Sequence, residues 1–395
     1  MKVLVVLPFA PWPVRVRSAN LWPRIGREAD VHIVYLAAGL ARGREATQVD
    51  HAASMEAVPC SSVRSLVRVA AALPTGDCLR AAWHRDEAAR DAVEAAYARI
   101  KPDVVYVERL RSFPLVERLP LDRLVLDPTD SLPLFCETVA RQRGAPVLQR
   151  LVSAIERPRL IAMERSAYAR VARVVACSGR DAAAMAQSAP DARIELIANG
   201  VDLHRFTYAA AYKNGRPKVL MSGNFGYWPN AEAARWLLGR AGALRERWDG
   251  EVVFAGANPP SFLRSAGRRG RVALSGYVAD MAAQYHRASV VAAPVRFATG
   301  TQNKVLEAMA CGRPVVATPQ CTSGLEPCGR AAVVESARDT FLDALGSVME
   351  DEAKPRRLAE AGRAYVEEHH DWNKIAPQLL TVLATVARKG SAPCT

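Results

Sequence analysis

Short apolar runs alternate with longer amphipathic segments along this 395-residue chain, and this alternation constrains the fold more than any other feature of the sequence. The runs have the length of buried strands, and the segments between them carry apolar residues at helical spacing. Strands that alternate with helices predict a parallel sheet covered by helices on both faces. In the first half of the chain, strands are predicted at residues 2–8, 30–36, 57–58, 103–107, 124–127, 173–178 and 194–199.

The alternating pattern stops once and then starts again. Residues 206–217 have no apolar period and contain Asn214-Gly215, so we predict a linker there. Further strands are predicted at residues 218–221, 251–255, 271–274, 288–293, 315–317 and 332–334, and helices at 18–28, 63–73, 78–100, 231–247, 337–350, 353–368 and 372–389. The chain is too long for one typical core, so we predict domains at residues 1–206 and 217–371, followed by the helix 372–389.

Charge and cysteine content exclude several classes of protein. The net charge of +13 favours an anionic partner, but the basic excess is spread over both halves without a compact basic tail, so nucleic acid is not expected as a partner. No apolar run approaches the roughly 20 residues that span a bilayer, and we expect a cytoplasmic protein. The eight cysteines show no CxxC and no zinc-like Cys/His spacing, which predicts buried free thiols and no metal site.

The helix predicted at residues 63–73 allows two interpretations. It carries Arg64 and Arg68 among apolar residues, and it could lie with its basic side on an anionic membrane. The alternative is an ordinary helix packed on the sheet.

Residues 297–312 are the most informative stretch for function. They read Phe-Ala-Thr-Gly-Thr-Gln-Asn-Lys-Val-Leu-Glu-Ala-Met-Ala-Cys-Gly and lie between two predicted strands, which indicates a glycine-containing loop followed by a short helix. On a helical wheel one face is polar and carries Gly300, Asn303, Lys304, Glu307 and Cys311. The opposite face carries Val305, Leu306 and Met309 and is predicted to pack on the core.

The polar face of this helix suits a phosphate group attached to a sugar. Gly300 permits close approach to the backbone, the first turn has a partial positive charge, and Lys304 adds a full one. Glu307, one turn further on, can accept hydrogen bonds from sugar hydroxyls. The alternative is a surface helix with one Lys and one Glu. No stretch gives a GxGxxG or P-loop pattern, so the common dinucleotide and P-loop sites are not predicted.

Residues that follow the predicted strands are further candidates, because ligands of open parallel sheets bind beyond the carboxyl ends of the strands. In the first domain Asp130 and Ser131 either cap the next helix or contact a substrate. The full set comprises residues 8–17, 108–111, 127–131, 178 and 199–202.

Residues 304–318 resemble the GT-B glycosyltransferases, specifically glycosyltransferase family 4. Residues 199–202 (Asn-Gly-Val-Asp) and 276–278 (Gly-Tyr-Val) support the resemblance. Residues 222–230 (Ser-Gly-Asn-Phe-Gly-Tyr-Trp-Pro-Asn) are similar to a loop of a subgroup of bacterial sugar transferases. The resemblance implies a GT-B fold, with two doubly wound Rossmann-like parallel-sheet domains facing a central cleft and a last helix that crosses back to the first domain.

The resemblance also implies a donor site for a nucleotide-diphosphate sugar. Glu307 matches the family glutamate that binds the donor ribose, Lys304 and Gly300 lie at the diphosphate, and residues 276–278 match the segment that meets the base. With the neighbouring loop residues, the expected donor-site set is Gly223, Asn224, Tyr277, Val278, Arg296, Thr299, Gly300, Thr301, Gln302 and Asn303, and the expected catalytic set is Lys304, Glu307 and Asp130.

The sequence departs from the family pattern at several positions. Thr299 stands where family members commonly have a glutamate that contacts the transferred sugar, and Asp130 is the nearest substitute for an absent histidine. The glycine pair of the first loop is absent, as are an Arg and a Lys after the first strand of the second domain. Arg15, Arg17 or Arg296 could supply positive charge instead.

The function implied by the resemblance is a retaining glycosyltransferase that needs no metal and no cofactor other than its donor substrate. Lys304 and the helix N-terminus would stabilise the leaving diphosphate, domain closure would exclude water, and the acceptor proton could pass to the leaving phosphate. Expected acceptors are a glycan, a lipid-linked sugar of polysaccharide biosynthesis or a secondary metabolite, and the expected place is the cytoplasm or the inner face of the membrane. The alternative is a noncatalytic protein that binds nucleotide sugars or polyanions.

Overall fold

The computed structural model describes residues 1–11, 16–38, 48–142, 144–210, 215–298 and 300–389. Its contacts divide the chain into two compact units. The first comprises Met1–Ala198 and the last helix, Trp372–Lys389, and the second comprises Asn199–Asp371. Val201 and Phe206 pack in the core of the second unit, so residues 199–206, which we placed in the first domain, are grouped with the second. Residues 211–214 of the predicted linker lie outside the described residues.

The first unit contains a seven-stranded parallel sheet with the strand order β3-β2-β1-β4-β5-β6-β7. Its strands are β1 (Lys2–Leu7), β2 (Asp30–Ala38), β3 (Ala52–Cys60), β4 (Val104–Glu108), β5 (Leu124–Thr129), β6 (Arg173–Ala176) and β7 (Ile194–Leu196). Successive side chains of β1 enter opposite cores: Leu4 and Val6 lie in one, and Val3, Val5 and Leu7 lie in the other. Burial on both faces explains why the central strands are continuous apolar runs.

Helices cover both faces of this sheet. They are α1 (Val16–Ile25), α2 (Ser62–Ala72), α3 (Leu79–His84), α4 (Glu87–Ile100), α5 (Leu132–Arg141), α6 (Val147–Tyr168), α7 (Gly179–Ser188) and, at the end of the chain, α17 (Trp372–Lys389). Short 3-10 helices lie at Leu110–Leu115 and Leu121–Arg123. The buried side of α17 carries Trp372, Ile375, Leu379, Leu383 and Val386. This spacing packs α17 on the first unit, although it follows the second unit in sequence.

The second unit contains a six-stranded parallel sheet with the strand order β10-β9-β8-β11-β12-β13. Its strands are β8 (Lys218–Ser222), β9 (Glu251–Ala255), β10 (Ala273–Gly276), β11 (Val290–Ala293), β12 (Val315–Ala317) and β13 (Val334–Glu335). Its helices are α8 (Trp228–Leu238), α9 (Ala241–Trp248), α10 (Ser261–Arg268), α11 (Met281–His286), α12 (Asn303–Ala310), α13 (Pro319–Thr322), α14 (Pro327–Ala331), α15 (Phe341–Glu350) and α16 (Lys354–His369). The prediction of two parallel α/β sheets is confirmed.

Two predicted helices are each divided in the structure. The helix predicted at 78–100 breaks at Asp86, whose side chain caps α4 by accepting a hydrogen bond from the Ala89 amide at 3.2 Å. The helix predicted at 231–247 begins earlier, at Trp228, and breaks at Gly239 between α8 and α9. The sequence analysis expected a helix after Asp130 and Ser131 without giving its bounds, and α5 lies there. It missed α6, and it reduced the nine-residue strand β3 to two residues.

Of the seven cysteines that the structure describes, five are buried, as predicted, and Cys394 lies outside the described residues. The buried thiols are Cys78, Cys136, Cys177, Cys311 and Cys321. Cys60 is half-buried and Cys328 is exposed, so the prediction was wrong for Cys328. Among the described residues, none of the helices combines the length and apolar character that crossing a bilayer requires.

Candidate functional site

Helix α12 begins beside a loop with a positive-φ glycine, as the sequence predicted. Gly300 has a φ of +66°, and Gln302 occupies the N-cap position. Gly324 packs against this loop so closely that a Cβ there would lie 2.6 Å from the carbonyl of Gly300. The loop backbone is therefore held in place by a second glycine that the sequence analysis did not identify.

Lys304 points toward the first loop of the second unit. Its Nζ donates to Asn230 Oδ1 at 2.7 Å, and Asn230 Nδ2 donates to the Asn224 carbonyl at 3.0 Å. A Cβ on Gly223 would lie 3.5 Å from Lys304 Nζ, so this loop comes directly over the ammonium group. The structure thus brings together Lys304, Gly223 and Asn224, three predicted donor-site residues. Asn230 lies in the first turn of α8, which begins at Trp228.

The loop around Gly223 is itself tightly packed. Gly223 has a φ of +145°, and a Cβ on Gly256 would lie 1.8 Å from the Gly223 carbonyl oxygen. The side-chain oxygen of Asn224 accepts hydrogen bonds from the Gly226 amide at 3.0 Å and from Asn258 Nδ2 at 3.1 Å. Two glycines and an internal amide network therefore fix the backbone next to Lys304.

Glu307 is held by a buried tyrosine that sequence reasoning missed. The Tyr285 hydroxyl lies 2.8 Å from Glu307 Oε2 and 2.8 Å from Ser222 Oγ. Ser222 ends β8, a position that the strand-end rule could have identified. Tyr285 lies in the middle of α11 without a motif of its own. Together these contacts orient the carboxylate on the polar side of α12.

Burial shifts both charged groups of α12 toward their neutral forms. Desolvation raises the pKa of Glu307 to about 7, against the opposing effects of the Tyr285 hydrogen bond and of the positive charges on Arg205 and Lys304. Desolvation lowers the pKa of Lys304. Arg205 was not predicted, and its guanidinium also donates to the Ala279 carbonyl at 2.9 Å. Buried groups with shifted pKa values are typical of ligand sites.

The other predicted residues around α12 have different environments. Thr301 is buried and its hydroxyl donates to the Gly324 carbonyl at 3.3 Å, so it supports the loop. The Asn303 side-chain oxygen is buried and has no hydrogen-bond partner among the described residues. The Arg296 guanidinium lies 5.9 Å from the centre of the Phe297 ring. Thr299 lies outside the described residues.

The polar face predicted for α12 was wrong at one position. Cys311 is fully buried just beyond the last helical residue, and burial raises its pKa to about 12. The predicted core residues Val305, Leu306 and Met309 are buried, which confirms the opposite face.

The segment at the end of β10, residues 276–278, has a fixed backbone and one exposed aromatic side chain. Gly276 has a φ of +64°, and its carbonyl accepts a hydrogen bond from the Gly256 amide at 2.7 Å. Tyr277 is 71% exposed, whereas Val278 packs on the core. An exposed ring beside a fixed backbone can stack on a planar ligand.

Asp130 lies in the first unit, just beyond the end of β5. Its carboxylate is 3.6 Å from the Arg109 guanidinium, and burial raises its pKa to about 6 despite that charge. Ser131, not Asp130, caps α5, since its hydroxyl accepts from the Leu134 amide at 3.4 Å. The catalytic role of Asp130 stays a prediction.

Arg17 is a structural residue of the first unit. Its Nε donates to Asp127 at 2.7 Å, and both side chains are buried. The Tyr106 hydroxyl also donates to Asp127. The charge of Arg17 is therefore balanced within the first unit by Asp127. Arg15 lies outside the described residues.

Part of the second unit is similar to a known protein family. Residues 216–351 match the family model described as glycosyl transferases group 1. This segment includes the glycine loop, Tyr285 and α12. A search of curated proteins found no match.

Solved structures with the same fold cover almost the whole chain. Sucrose-phosphate synthase from Thermosynechococcus elongatus is 16% identical, with a TM-score of 0.74 over 98% of this chain and 100% of that one. HepE from Anabaena in complex with UDP-glucose is 15% identical, with a TM-score of 0.67 over 97% and 99%. WaaG, a glycosyltransferase involved in lipopolysaccharide biosynthesis, is also 15% identical, with a TM-score of 0.67 over 97% and 99%. The fold is therefore GT-B, and the matched domain in the second unit supports a glycosyltransferase.

Proposed function

We propose that this protein is a retaining, metal-independent glycosyltransferase of family 4, in the bacterial sugar transferase subgroup. It would transfer a sugar from a nucleotide-diphosphate donor to a hydroxyl of its acceptor. The observation that carries the proposal is the pair Lys304 and Glu307 on α12, half-buried and held by Asn230 and Tyr285. The solved HepE structures in complex with UDP and UDP-glucose support a nucleotide sugar as the donor class.

Lys304 is suited to the diphosphate of the donor. Its ammonium and the N-terminus of α12 both favour an anion, and Gly300, at a φ of +66°, adds no side chain beside them. A diphosphate would replace the neutral Asn230 amide with an ionic partner for Lys304. Because the leaving group gains negative charge as the glycosidic bond breaks, this interaction strengthens in the transition state.

Glu307 is suited to the ribose. When ionised, its carboxylate is an acceptor for two hydroxyl groups, and Tyr285 fixes its orientation. Tyr277 and the backbone beside it would contact the base. In the transfer itself, the bond from the anomeric carbon to the diphosphate oxygen breaks and a bond to the acceptor oxygen forms. The acceptor proton passes to the leaving phosphate, so no protein base is needed.

The acceptor is proposed to be a glycan, a lipid-linked sugar or a small molecule such as a secondary metabolite. The first two fit polysaccharide biosynthesis, the context suggested by the similarity to WaaG. The protein would act in the cytoplasm, where a lipid-linked acceptor would require contact with the inner face of the membrane. Nucleic acid is not a proposed partner.

A panel of nucleotide sugars tests the proposal. The protein is incubated with UDP-, GDP-, ADP- and dTDP-linked sugars, with and without glycan and lipid-linked acceptors, and nucleotide release is measured. Acceptor-dependent release with at least one donor is expected. Donor binding without release across the panel would identify a noncatalytic binder instead.

Two substitutions test the site itself. Lys304→Ala and Glu307→Ala are each expected to weaken donor binding by roughly 10- to 100-fold, since each removes a charge-assisted hydrogen bond. Lys354→Ala and Glu246→Ala, in α16 and α9, are the matched controls and are expected to bind normally. Calorimetric affinities that are the same for both site variants and the wild type would contradict the assignment.

A further inference from the structure

Two helices of the first unit expose large apolar side chains to solvent. Helix α2 exposes Val63, Leu66 and Val67, and Leu73 directly after it is also exposed. The first half of α6 exposes five more, each between 38% and 69%: Val147, Leu148, Leu151, Val152 and Ile155. We call these nine residues the α2–α6 surface. Isolated exposed apolar residues are ordinary, but a set of nine on two helices indicates an interaction site.

The first half of helix α6 exposes its aliphatic side chains, while Ser153 and Glu156 on its other side are buried. The second half packs on the core through Leu160, Ala167 and Tyr168. Glu156 is satisfied inside, since it accepts hydrogen bonds from the amides of Leu79 at 3.1 Å and Arg80 at 3.4 Å. The buried carboxylate therefore fixes the orientation of α6 with its apolar side outward. This explains why its hydrophobic pattern does not predict a helix packed on the sheet.

Hydrogen bonds connect α6 to the segment that follows α2, next to the exposed apolar residues. Arg159 on α6 donates to the carbonyl of Leu73 at 2.8 Å and to that of Asp77 at 3.1 Å. Arg159 and Met163 on α6 and Arg170 just after it line a cavity of about 260 Å³. Its lining also includes Arg85 and the carboxylates of Asp77 and Glu117, and Arg85 pairs with Asp77 at 3.1 Å. A recess with three guanidinium groups and two carboxylates therefore continues the α2–α6 surface.

The charge around these helices is strongly positive. Residues 62–85 and 141–170 together contain 11 arginines and 3 acidic residues, two of which, Glu156 and Glu164, are buried. Residues 1–200 as a whole contain 28 basic and 22 acidic residues, an excess of 6. The two segments alone have an excess of 8, so the rest of this half is slightly acidic. The positive charge is thus concentrated in these two segments, although Asp86 pairs with Arg68, and Glu137 pairs with Arg141 and Arg157, from just outside them.

We propose that the first unit docks on a bilayer containing anionic phospholipids through the α2–α6 surface, with lipid phosphates at the arginine-lined recess. Aliphatic side chains at the level of the acyl chains and arginines at the level of the headgroups are the combination that binds helices in the plane of a membrane. The proposal deepens the membrane contact of the proposed function. It is testable independently of sugar transfer, because vesicle binding needs neither donor nor acceptor.

Vesicle co-sedimentation tests the docking surface. The full chain is mixed with vesicles of phosphatidylcholine and phosphatidylglycerol, and with vesicles of phosphatidylcholine alone. Binding is expected to the anionic vesicles and to weaken with added salt. The double variant Leu148→Asp, Leu151→Asp is expected to lose binding by at least about tenfold, because two apolar contacts are replaced by negative charges. Leu196→Asp, at an exposed leucine on β7, is the matched control and is expected to bind as the wild type does.

A second double variant, in α2, keeps the test valid if the α6 double variant does not fold. Val63→Asp with Leu66→Asp changes α2 only, and the melting temperature of both double variants is measured, since exposed positions should leave it unchanged. Wild-type protein that fails to sediment with anionic vesicles would overturn the proposal. Undiminished binding by folded variants would also overturn it, as would a dimer in solution that either double variant dissociates, because a second copy would then occupy the surface. Nucleotide release from a soluble acceptor reaction, measured in parallel, shows whether the transferase proposal stands independently.

Discussion

Replacing Glu307 with glutamine should make the protein more stable at alkaline pH while weakening its interaction with the donor. The Glu307 carboxyl is half-buried, and its closest partner is the neutral hydroxyl of Tyr285 at 2.8 Å. Its desolvation is not fully compensated, which raises its pKa from 4.5 to about 7. Glutamine preserves the shape and an acceptor oxygen for Tyr285, but it cannot ionise.

The sign and size of the effect follow from this pKa. A carboxyl with a raised pKa in the folded state stabilises the fold below about pH 4.5, and that contribution is lost as the pH rises through about 7. A pKa difference of one unit between the folded and unfolded states corresponds to about 1.4 kcal/mol of unfolding free energy. Between about pH 5 and pH 8 the wild type should therefore lose about 2 kcal/mol of unfolding free energy relative to Glu307→Gln, after allowance for partial exposure.

Urea unfolding at the two pH values measures this difference directly. Glu335→Gln is the control, because the guanidinium of Arg330 holds the pKa of Glu335 below 4.5, outside the tested window. Donor affinity, measured at about pH 8, should fall by at least about tenfold in Glu307→Gln. A stability difference that does not change with pH, or a variant less stable than the wild type at pH 8, would refute the reasoning about burial at this site.

Two further substitutions test the backbone and the ion pair that support the two units. Gly256→Ala should lower the unfolding free energy by at least about 3 kcal/mol, because its Cβ would lie 1.8 Å from a backbone oxygen at a φ of +148°. Gly242→Ala, with open space around it, should not, and equal melting temperatures for the two variants would contradict the packing argument. Asp127→Asn should cost about 3–5 kcal/mol in urea unfolding, since it removes the carboxylate from the buried guanidinium of Arg17. The exposed Asp122→Asn is its control, and a similar small effect in both would show that the ion pair does not stabilise the first unit.

The fold could be predicted from the sequence where burial produces a clear pattern. Central strands such as β1 and β4 are buried on both faces and therefore appear as continuous apolar runs. The edge strand β3 is largely exposed and includes Glu56 and Pro59, so most of it has no such run. Helix α6 was missed for a different reason. In its first half the aliphatic side chains face solvent and Glu156 faces inward, so helical periodicity alone does not indicate which side is buried.

The candidate site could be predicted only where its residues share one helix. Lys304 and Glu307 are three positions apart, and helical geometry alone places them on one face. Their partners Asn230 and Tyr285 belong to α8 and α11, and only the folded sheet brings them to α12. The same geometry failed for Cys311, because the helix ends at Ala310 and its periodicity does not extend further.

The charged side chains inside the two units have different kinds of partner, and this difference bears on function. In the first unit the buried carboxylate of Asp127 has a full positive charge beside it, the Arg17 guanidinium at 2.7 Å. In the second unit Lys304 donates to a neutral amide and Glu307 accepts from a neutral hydroxyl, and burial moves the pKa of each toward the uncharged form. An arrangement of charged groups whose hydrogen-bond partners are neutral reduces the stability of the free protein, but it leaves both groups available to a ligand with complementary chemistry. A nucleotide-diphosphate sugar would supply an anion to Lys304 and hydroxyl groups to Glu307, so donor binding should favour the charged forms of both side chains. Donor affinity should therefore fall as the pH drops below about 7 in the wild type, and this dependence should be absent in Glu307→Gln.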